Sequence, residues 1–129
     1  MDWSGIEGGQ EFVSWFEDAP VCFHDAEIAS ICHRIPTNAA VGTSSRSLVL
    51  VYLYRWSAAG DRREVFVELD FENVRSFQLE SDFAGQMVLD EIALEERAGE
   101  VRAEFHGIVG IGGHIAAGGL SVRLRPVGG

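Results

Sequence analysis

The stretch CFHDAEIASICH, residues 22–33, gathers most of the side chains in this 129-residue chain that are suited to metal binding or catalysis. It holds both cysteines, two of the four histidines and two carboxylates. Thiolate and imidazole bind zinc, but the spacing C-x-H-x7-C-H matches no common zinc module, where ligands come as C-x2-4-C or H-x3-5-H pairs. On a strand, the neighbours Cys32 and His33 point to opposite faces. The spacing therefore argues against a metal site, and a reducing cytoplasm disfavours the alternative of a Cys22–Cys32 disulfide. We expect two buried free thiols, Cys22 and Cys32, and neither a metal nor another cofactor.

The adjacent residues His24 and Asp25 suggest an acid–base pair. Neighbouring side chains in an extended segment diverge, so such a pair needs a further group to orient it. The chain has no G-x-S-x-G nucleophile motif and no C-x-x-C pair. We therefore interpret His24 and Asp25 as a structural pair that hydrogen-bonds to the backbone where a helix gives way to a sheet. An enzyme is the alternative if these two residues meet His106 or His114.

Charge is unevenly distributed along the sequence. Twenty acidic residues stand against ten arginines and no lysine, which gives a net charge of −10, and residues 1–33 contain no arginine. This excess argues against nucleic acid as a partner, because phosphates would be repelled. It is typical of a solvated acidic surface or of a docking face for a basic protein. For the docking face we select the acidic residues of the first helix and its flanks: Asp2, Glu7, Glu11, Glu17 and Asp18.

Hydrophobic periodicity predicts one N-terminal helix followed by strands. Phe12, Trp15 and Phe16 lie at helical spacing within residues 4–17, a segment that Gly8 and Gly9 interrupt. From residue 22 onward the period changes to two. The predicted strands are 26–35, 46–56, 63–71, 74–80, 87–97, 99–110 and 120–127, with a loop at 36–45 and a turn at 81–85. The propensity of residues 87–97 also allows a helix, but the short spacing to the neighbouring strands favours a strand. The glycines of residues 107–119 predict a tight turn or bulge near a sheet edge.

Strands joined by short turns indicate a single domain over residues 1–129 with a mainly β (α+β) fold. We expect an antiparallel meander of six to eight strands that forms a curled sheet, partial barrel or sandwich, with the helix packed on it. The strand at 46–56 is apolar on both faces, which predicts a central strand covered on both sides. No apolar run reaches the roughly 18–20 residues that cross a membrane. Without a signal peptide at its start, the chain is expected to be cytoplasmic and to bind no membrane.

Several short motifs resemble the immunity protein 50 family of small bacterial proteins. Trp3 precedes the helix, F-H-D-A-E-I at residues 23–28 leads into a strand, and V-x-L-x-F-x-x-V follows at residues 67–74, before a closing hairpin that contains glycine. The resemblance spans most of the chain. It implies a non-enzymatic protein that neutralises a bacterial toxin, with the acidic surface meeting a basic toxin protein, and it transfers no contact residues.

The sequence thus predicts a non-catalytic binding protein, such as a toxin-neutralising immunity protein. The alternative is a carrier of small hydrophobic ligands. In that case the curled sheet would enclose a cavity lined by Tyr52, Tyr54, Trp56 and Phe105.

Overall fold

The computed structural model of the protein describes residues 1–35, 45–81 and 85–128. The predicted loop at residues 36–45, apart from Ser45, and most of the predicted turn at residues 81–85 lie outside this range. The described elements are a 3-10 turn at Trp3–Gly5, helix α1 at Gly9–Trp15, and strands β1 Glu27–Arg34, β2 Arg46–Trp56, β3 Arg62–Ser81, β4 Val88–Arg97, β5 Glu100–Val109 and β6 Ile111–Arg125. None of the described helices has the length and apolar character needed to cross a membrane.

The N-terminal segment, residues 1–26, is anchored to the sheet at Glu7 and Gly8. The backbone N–H of Val122 donates to the carbonyl of Glu7 at 2.9 Å. Gly8 has a φ of 77°, and a Cβ at this position would lie 1.9 Å from the carbonyl oxygen of Val122. Only glycine fits such a close approach in the left-handed region. Gly8 therefore separates the 3-10 turn from α1, and the predicted interruption of the helix is confirmed.

The six strands form one antiparallel sheet that curls into a closed but irregular ring, in the order β1-β2-β3-β6-β5-β4. A mainly β, antiparallel fold with one N-terminal helix is thereby confirmed. The chain departs from a simple meander after β3, because β3 pairs with β6 and not with β4. The ring closes where β1 meets β4, through short backbone bonds from Ile28 N–H to the Met87 carbonyl and from Leu89 N–H to the Ala26 carbonyl.

Strands β3 and β6 are longer than the sequence predicts. The predicted strands 63–71 and 74–80 are one strand, which bends at Asn73 (φ 54°) and shifts register between Val74 and Ser76. The glycine-rich residues 107–119 do not form one turn: Gly110 alone (φ 72°) joins β5 to β6, and the others lie in those strands. Gly113 lets β6 approach β3 closely, since a Cβ there would lie 1.8 Å from the carbonyl oxygen of Gln78. These glycines serve strand pairing.

The core fills the ring and continues under the N-terminal segment. Inward-facing side chains of the strands are buried, among them Val49, Val51, Leu69, Phe71 and Phe105. Trp3, Phe12, Phe16 and Phe23 form an aromatic cluster, in which Phe12 lies 5.3 Å from Trp3 and 5.4 Å from Phe16 between ring centroids. The predicted apolar stripe of the helix is confirmed, with Phe12 and Phe16 fully buried and Trp15 at its margin.

Strand β2 is covered on one side only. Val49, Val51 and Leu53 face the core and are no more than 1% exposed. The opposite side carries Leu48, Leu50, Tyr52 and Tyr54, which are half-buried, and Trp56, which is 62% exposed. The expectation of a strand covered on both sides is therefore wrong. Alternation along the strand turns Tyr52, Tyr54 and Trp56 outward, whereas Phe105 points inward. Three of the four residues predicted to line a hydrophobic-ligand cavity therefore lie outside the ring.

Candidate functional site

An open groove of about 620 Å³ separates the N-terminal segment from β4. One wall is formed by Met1, Trp3 and residues 21–24, and the other by residues 90–94 of β4. Met1, Val21 and Leu94 contribute apolar side chains to a lining that is more polar than apolar, and Asp90 and Glu91 contribute carboxylates. The volume falls within the range of roughly 300–1,000 Å³ that is typical of ligand sites. We call this surface the N-terminal groove.

Two local irregularities build the groove. The first is a turn at residues 24–25, where Asp25 has a φ of 67° and its N–H donates to the Leu89 carbonyl at 2.9 Å. This turn presses residues 21–24 against β4. The second is a register shift in β4 between Leu89 and Glu91. A bulge of this kind re-aims side chains, so that Asp90 and Glu91, which strict alternation would send to opposite faces, both line the groove.

His24 lies between two carboxylates at the edge of the groove. Its Nδ1 is 2.9 Å from Oδ1 of Asp90, and its Nε2 is 3.7 Å from Oδ2 of Asp25. The hydrogen bond to Asp90, followed by the charge of Asp25, raises the pKa of His24 above its usual value of 6.5. The side chains of His24 and Asp90 are 56% and 58% exposed. The sequence interpretation gave His24 a backbone partner, whereas the structure gives it the Asp90 carboxylate; only the main chain of Asp25 bonds to the sheet.

The groove belongs to the most acidic part of the molecule. The N-terminal segment together with β4 and β5 holds twelve of the twenty carboxylates but only two of the ten arginines, Arg97 and Arg102. No arginine occurs among the described residues that line the groove. Elsewhere arginine and carboxylate nearly balance: β1, β2, β3 and β6 hold six carboxylates and eight arginines. Among the strands, β4 and β5 therefore form the acidic part of the ring, with six carboxylates and two arginines.

The five acidic residues selected from the sequence do not share one surface. Glu7 and Glu11 line a second depression, of about 610 Å³, that crosses β6, β3 and β2 on the outside of the ring. Glu17 contacts Arg63 and lies 3.9 Å from Arg55, so arginine neutralises it. Asp2 caps the 3-10 turn by accepting from the Ser4 N–H, and Asp18 is exposed just after α1. Of the five, only Asp2 is adjacent in sequence to residues of the N-terminal groove.

Sequence reasoning missed Asp90 and Glu91, the carboxylates that line the groove. The segment MVLDEIALEER, residues 87–97, was assigned as a strand, and β4 confirms that assignment. A detectable signal was nevertheless present. Two consecutive charged residues between apolar ones break the alternation expected of a half-buried strand, and such a break indicates a bulge.

The four histidines lie apart from one another, and Cys22 shares the N-terminal groove with His24. His33 bonds to Ser47, His114 to Ser76, and His106 lies near Glu104, and no contact in the described chain joins His24 or Asp25 to His106 or His114. Both cysteines are free and exposed, so the expectation of buried thiols is wrong. Cys22 lines the N-terminal groove, and Cys32 lies on the outer side of β1 opposite Leu48. Among the described residues, no group of three or more His, Cys, Asp or Glu side chains is arranged to hold a metal ion.

Apolar side chains beside carboxylates form a surface that matches an apolar and positively charged segment. Comparison of the chain with protein-family models, with curated proteins and with solved structures gave no match.

Proposed function

We propose that this chain is a non-catalytic binding protein that recognises a basic protein through the N-terminal groove. The observation that carries the proposal is the composition of the groove. Met1, Val21 and Leu94 offer apolar contact, Asp90 and Glu91 offer negative charge, and no arginine among the described lining residues offsets it. An interface of this kind gains affinity from the apolar contacts and specificity from the charges.

The charge around the groove supports the same partner class. Six carboxylates against two arginines on β4 and β5, together with Asp2 and Asp25 of the N-terminal segment, create a negative field that extends beyond the groove itself. Such a field accelerates the encounter with a basic protein and repels an acidic one. The association rate should therefore fall as salt screens the charges.

The partner we propose is a basic bacterial toxin. This step rests on the resemblance of residues 23–28 and 67–74 to the immunity protein 50 family. Neutralisation would then follow from occupancy: the protein covers a basic functional surface of the toxin and performs no reaction. Cytoplasmic location belongs to the same proposal, because a protective protein acts where the toxin finds its target.

Co-expression with the neighbouring genes tests the function. Each open reading frame that flanks the gene is expressed in a bacterial host with and without this chain, and growth is measured. We expect one flanking product to arrest growth and this chain to restore it. A toxic flanking product that still arrests growth in the presence of the folded protein would contradict the proposal, as would the absence of any toxic product.

Charge reversal tests the site. In the variant Asp90→Lys/Glu91→Lys, the dissociation constant for the toxin should rise at least about 30-fold, because each reversed charge now repels the basic partner. The matched control is Glu72→Lys/Glu80→Lys, two exposed positions on β3 that give the same change in net charge. The control should change affinity by less than about threefold. Equal effects of the two variants would mean that net charge, and not the groove, determines binding.

The two native cysteines provide an independent readout. Cys22 lies in the groove and Cys32 lies on β1, and both are exposed. Toxin binding should slow maleimide labelling of Cys22 in the Cys32→Ser variant and leave Cys32 unaffected in the Cys22→Ser variant. Protection of Cys32 alone would place the partner on another surface.

A further inference from the structure

The outward side of β2 and β3 carries a continuous apolar surface. It consists of Leu48, Leu50, Tyr52, Tyr54 and Trp56 of β2 with Phe66 of β3, and we call it the outer β2–β3 face. Five of these side chains are half-buried, and Trp56 is 62% exposed. Single exposed apolar residues need no explanation, but six in adjacent positions form a patch of the kind that marks an interaction site.

Contacts within the face hold it in one shape. Tyr52 packs edge-on against Phe66 with ring centroids 5.8 Å apart, and the Arg62 guanidinium lies 4.4 Å from the Tyr54 ring centroid. The Tyr52 hydroxyl donates to the Glu64 carboxylate and accepts from Arg62 at 3.0 Å. Side chains fixed in this way lose little conformational entropy when a partner covers them.

The charges that border the face neutralise one another. Arg46 donates to Asp70 at 2.8 Å, and Arg123 lies 3.4 Å from Glu68. Strands β2, β3 and β6 together hold five carboxylates and seven arginines, close to balance. The face therefore exerts little net attraction on either a strongly basic or a strongly acidic protein. A surface with both signs interspersed can instead match a copy of itself, since a two-fold axis brings arginines of one copy over carboxylates of the other.

The position of the face in the ring also favours a second copy of this chain as the partner. In the order β1-β2-β3-β6-β5-β4, strands β2 and β3 lie across the ring from β5 and β4. Two copies joined through β2 and β3 would keep the six carboxylates of β4 and β5 in one copy away from those in the other, which lowers the repulsion between chains of net charge −10. Contact through any surface near the N-terminal groove would bring those charges together.

The size of the face sets the strength of the contact. Alternate positions from Leu48 to Trp56 on β2 span about 27 Å, and two adjacent strands cover about 10 Å, so the patch measures roughly 270 Å². A stable interface of standard size buries about 800 Å² per partner. The face therefore suits an exchanging dimer and falls short of an obligate one.

We propose that a second copy of this chain docks on the outer β2–β3 face, forming a two-fold symmetric dimer in equilibrium with the single chain. The apolar residues of β2 in one copy lie against those of the other. Each N-terminal groove remains open on the far side, so that the dimer presents two binding sites for a basic partner. The dimer rests on observations separate from those that support the proposed function.

Sedimentation velocity tests the dimer between about 1 and 500 µM protein. The weight-average mass should rise from that of one chain to that of two, and the dimer should tighten when salt is raised from about 50 to 500 mM, because salt screens the repulsion between the two acidic chains. A mass of one chain at all concentrations and both salt levels would overturn the proposal. The expected partner of the outer β2–β3 face would then be a different protein.

Two variants locate the interface. Leu50→Arg and Trp56→Arg should each raise the dimer dissociation constant at least about 30-fold, because a two-fold axis places the new charges near their own copies. The control Ile108→Arg, at a residue of β5 that is 49% exposed, should leave the dimer intact. Trp56 is the more exposed position, so its variant keeps the test valid if Leu50→Arg disturbs folding. Dimers that survive both variants would assign the contact to another surface.

Toxin neutralisation and dimerisation fail in different ways. If the toxin proposal is wrong, co-expression gives no rescue while sedimentation still shows the dimer. If the dimer proposal is wrong, Leu50→Arg leaves the sedimentation profile unchanged while the Asp90→Lys/Glu91→Lys variant still loses rescue.

Discussion

The N-terminal groove and the outer β2–β3 face both bring apolar side chains to the surface, but their surroundings differ in charge. Carboxylates without arginine accompany Met1, Val21 and Leu94 in the groove. Paired arginines and carboxylates border Tyr52 and Tyr54 on the face. The net charge of −10 is thus unevenly distributed: β4 and β5 hold six carboxylates and two arginines, whereas β2, β3 and β6 hold five carboxylates and seven arginines. Each side is therefore suited to a different class of partner.

The topology of the sheet produces this difference. Because β3 pairs with β6, the chain returns to close the ring through β5 and β4, which carry six carboxylates and two arginines. The arginines of β2, β3 and β6 are left on the other side, where cross-strand neighbours pair them with Glu68, Asp70 and Glu72. A meander in strict chain order would have put β4 beside β3 and brought the acidic and the balanced strands together.

The largest expected difference is in the free energy of unfolding when one leucine is truncated on each face of β2. Leu53→Ala removes a side chain that is 1% exposed in the core and should lower the free energy of unfolding by about 2–5 kcal/mol. Leu50→Ala, at a half-buried position on the outer face, should lower it by less than about 1 kcal/mol. Urea denaturation at low protein concentration measures both. Similar losses would show that the outer β2–β3 face contributes to folding as much as the core does.

An intermediate effect should come from salt. Between about 50 and 500 mM salt, affinity for a basic partner should fall at least about tenfold, since screening removes attraction. Dimer affinity should rise about two- to fivefold over the same range, since screening removes repulsion. Isothermal titration calorimetry measures the first and sedimentation the second. If salt changed the affinity for the basic partner and the affinity of the dimer in the same direction, the two sides of the ring would not differ in their electrostatic preference for a partner.

The smallest effect should come from the protonation of His24. Its pKa is raised in the folded protein, so the stability that it contributes is present below the unfolded pKa of 6.5 and is lost as pH rises through the folded pKa. Over the same pH range the groove becomes more negative, and affinity for a basic partner should rise about two- to fivefold. His24→Gln should abolish both trends, and thermal unfolding and titration calorimetry at pH 6 and 8 measure them. Unchanged trends in His24→Gln would assign them to another group.

Local patterns predicted the elements well. The apolar run at residues 46–56 and the alternation at residues 99–110 predicted β2 and β5 nearly to their ends, and the spacing of Phe12 and Phe16 predicted the buried side of α1. These features depend on which side chains of one element meet the core, and periodicity records that directly. The single domain assigned to residues 1–129 remains a prediction.

Features that depend on contacts between distant segments were not predicted. The pairing of β3 with β6 depends on Gly113 and Gln78, which lie 35 positions apart in the chain, and a glycine-rich stretch alone resembles a turn. Periodicity gives two apolar sides of β2 but does not say what covers each, so Tyr52 and Tyr54 were expected to be enclosed. Cys22 and Cys32 are apolar enough to be buried, and only the fold shows that both are exposed.

The short join between β1 and β4 has a mechanical consequence. Backbone bonds of Asp25, Ile28 and Leu89 hold this join in the described chain, and the N-terminal groove lies directly beside it. A partner seated in the groove touches residues 21–24 on one side and residues 90–94 on the other, and so bridges the two sides of the join. A bound partner should therefore stabilise the pairing of β1 with β4. Amide hydrogen exchange at Ile28 and Leu89 should slow when the partner is bound.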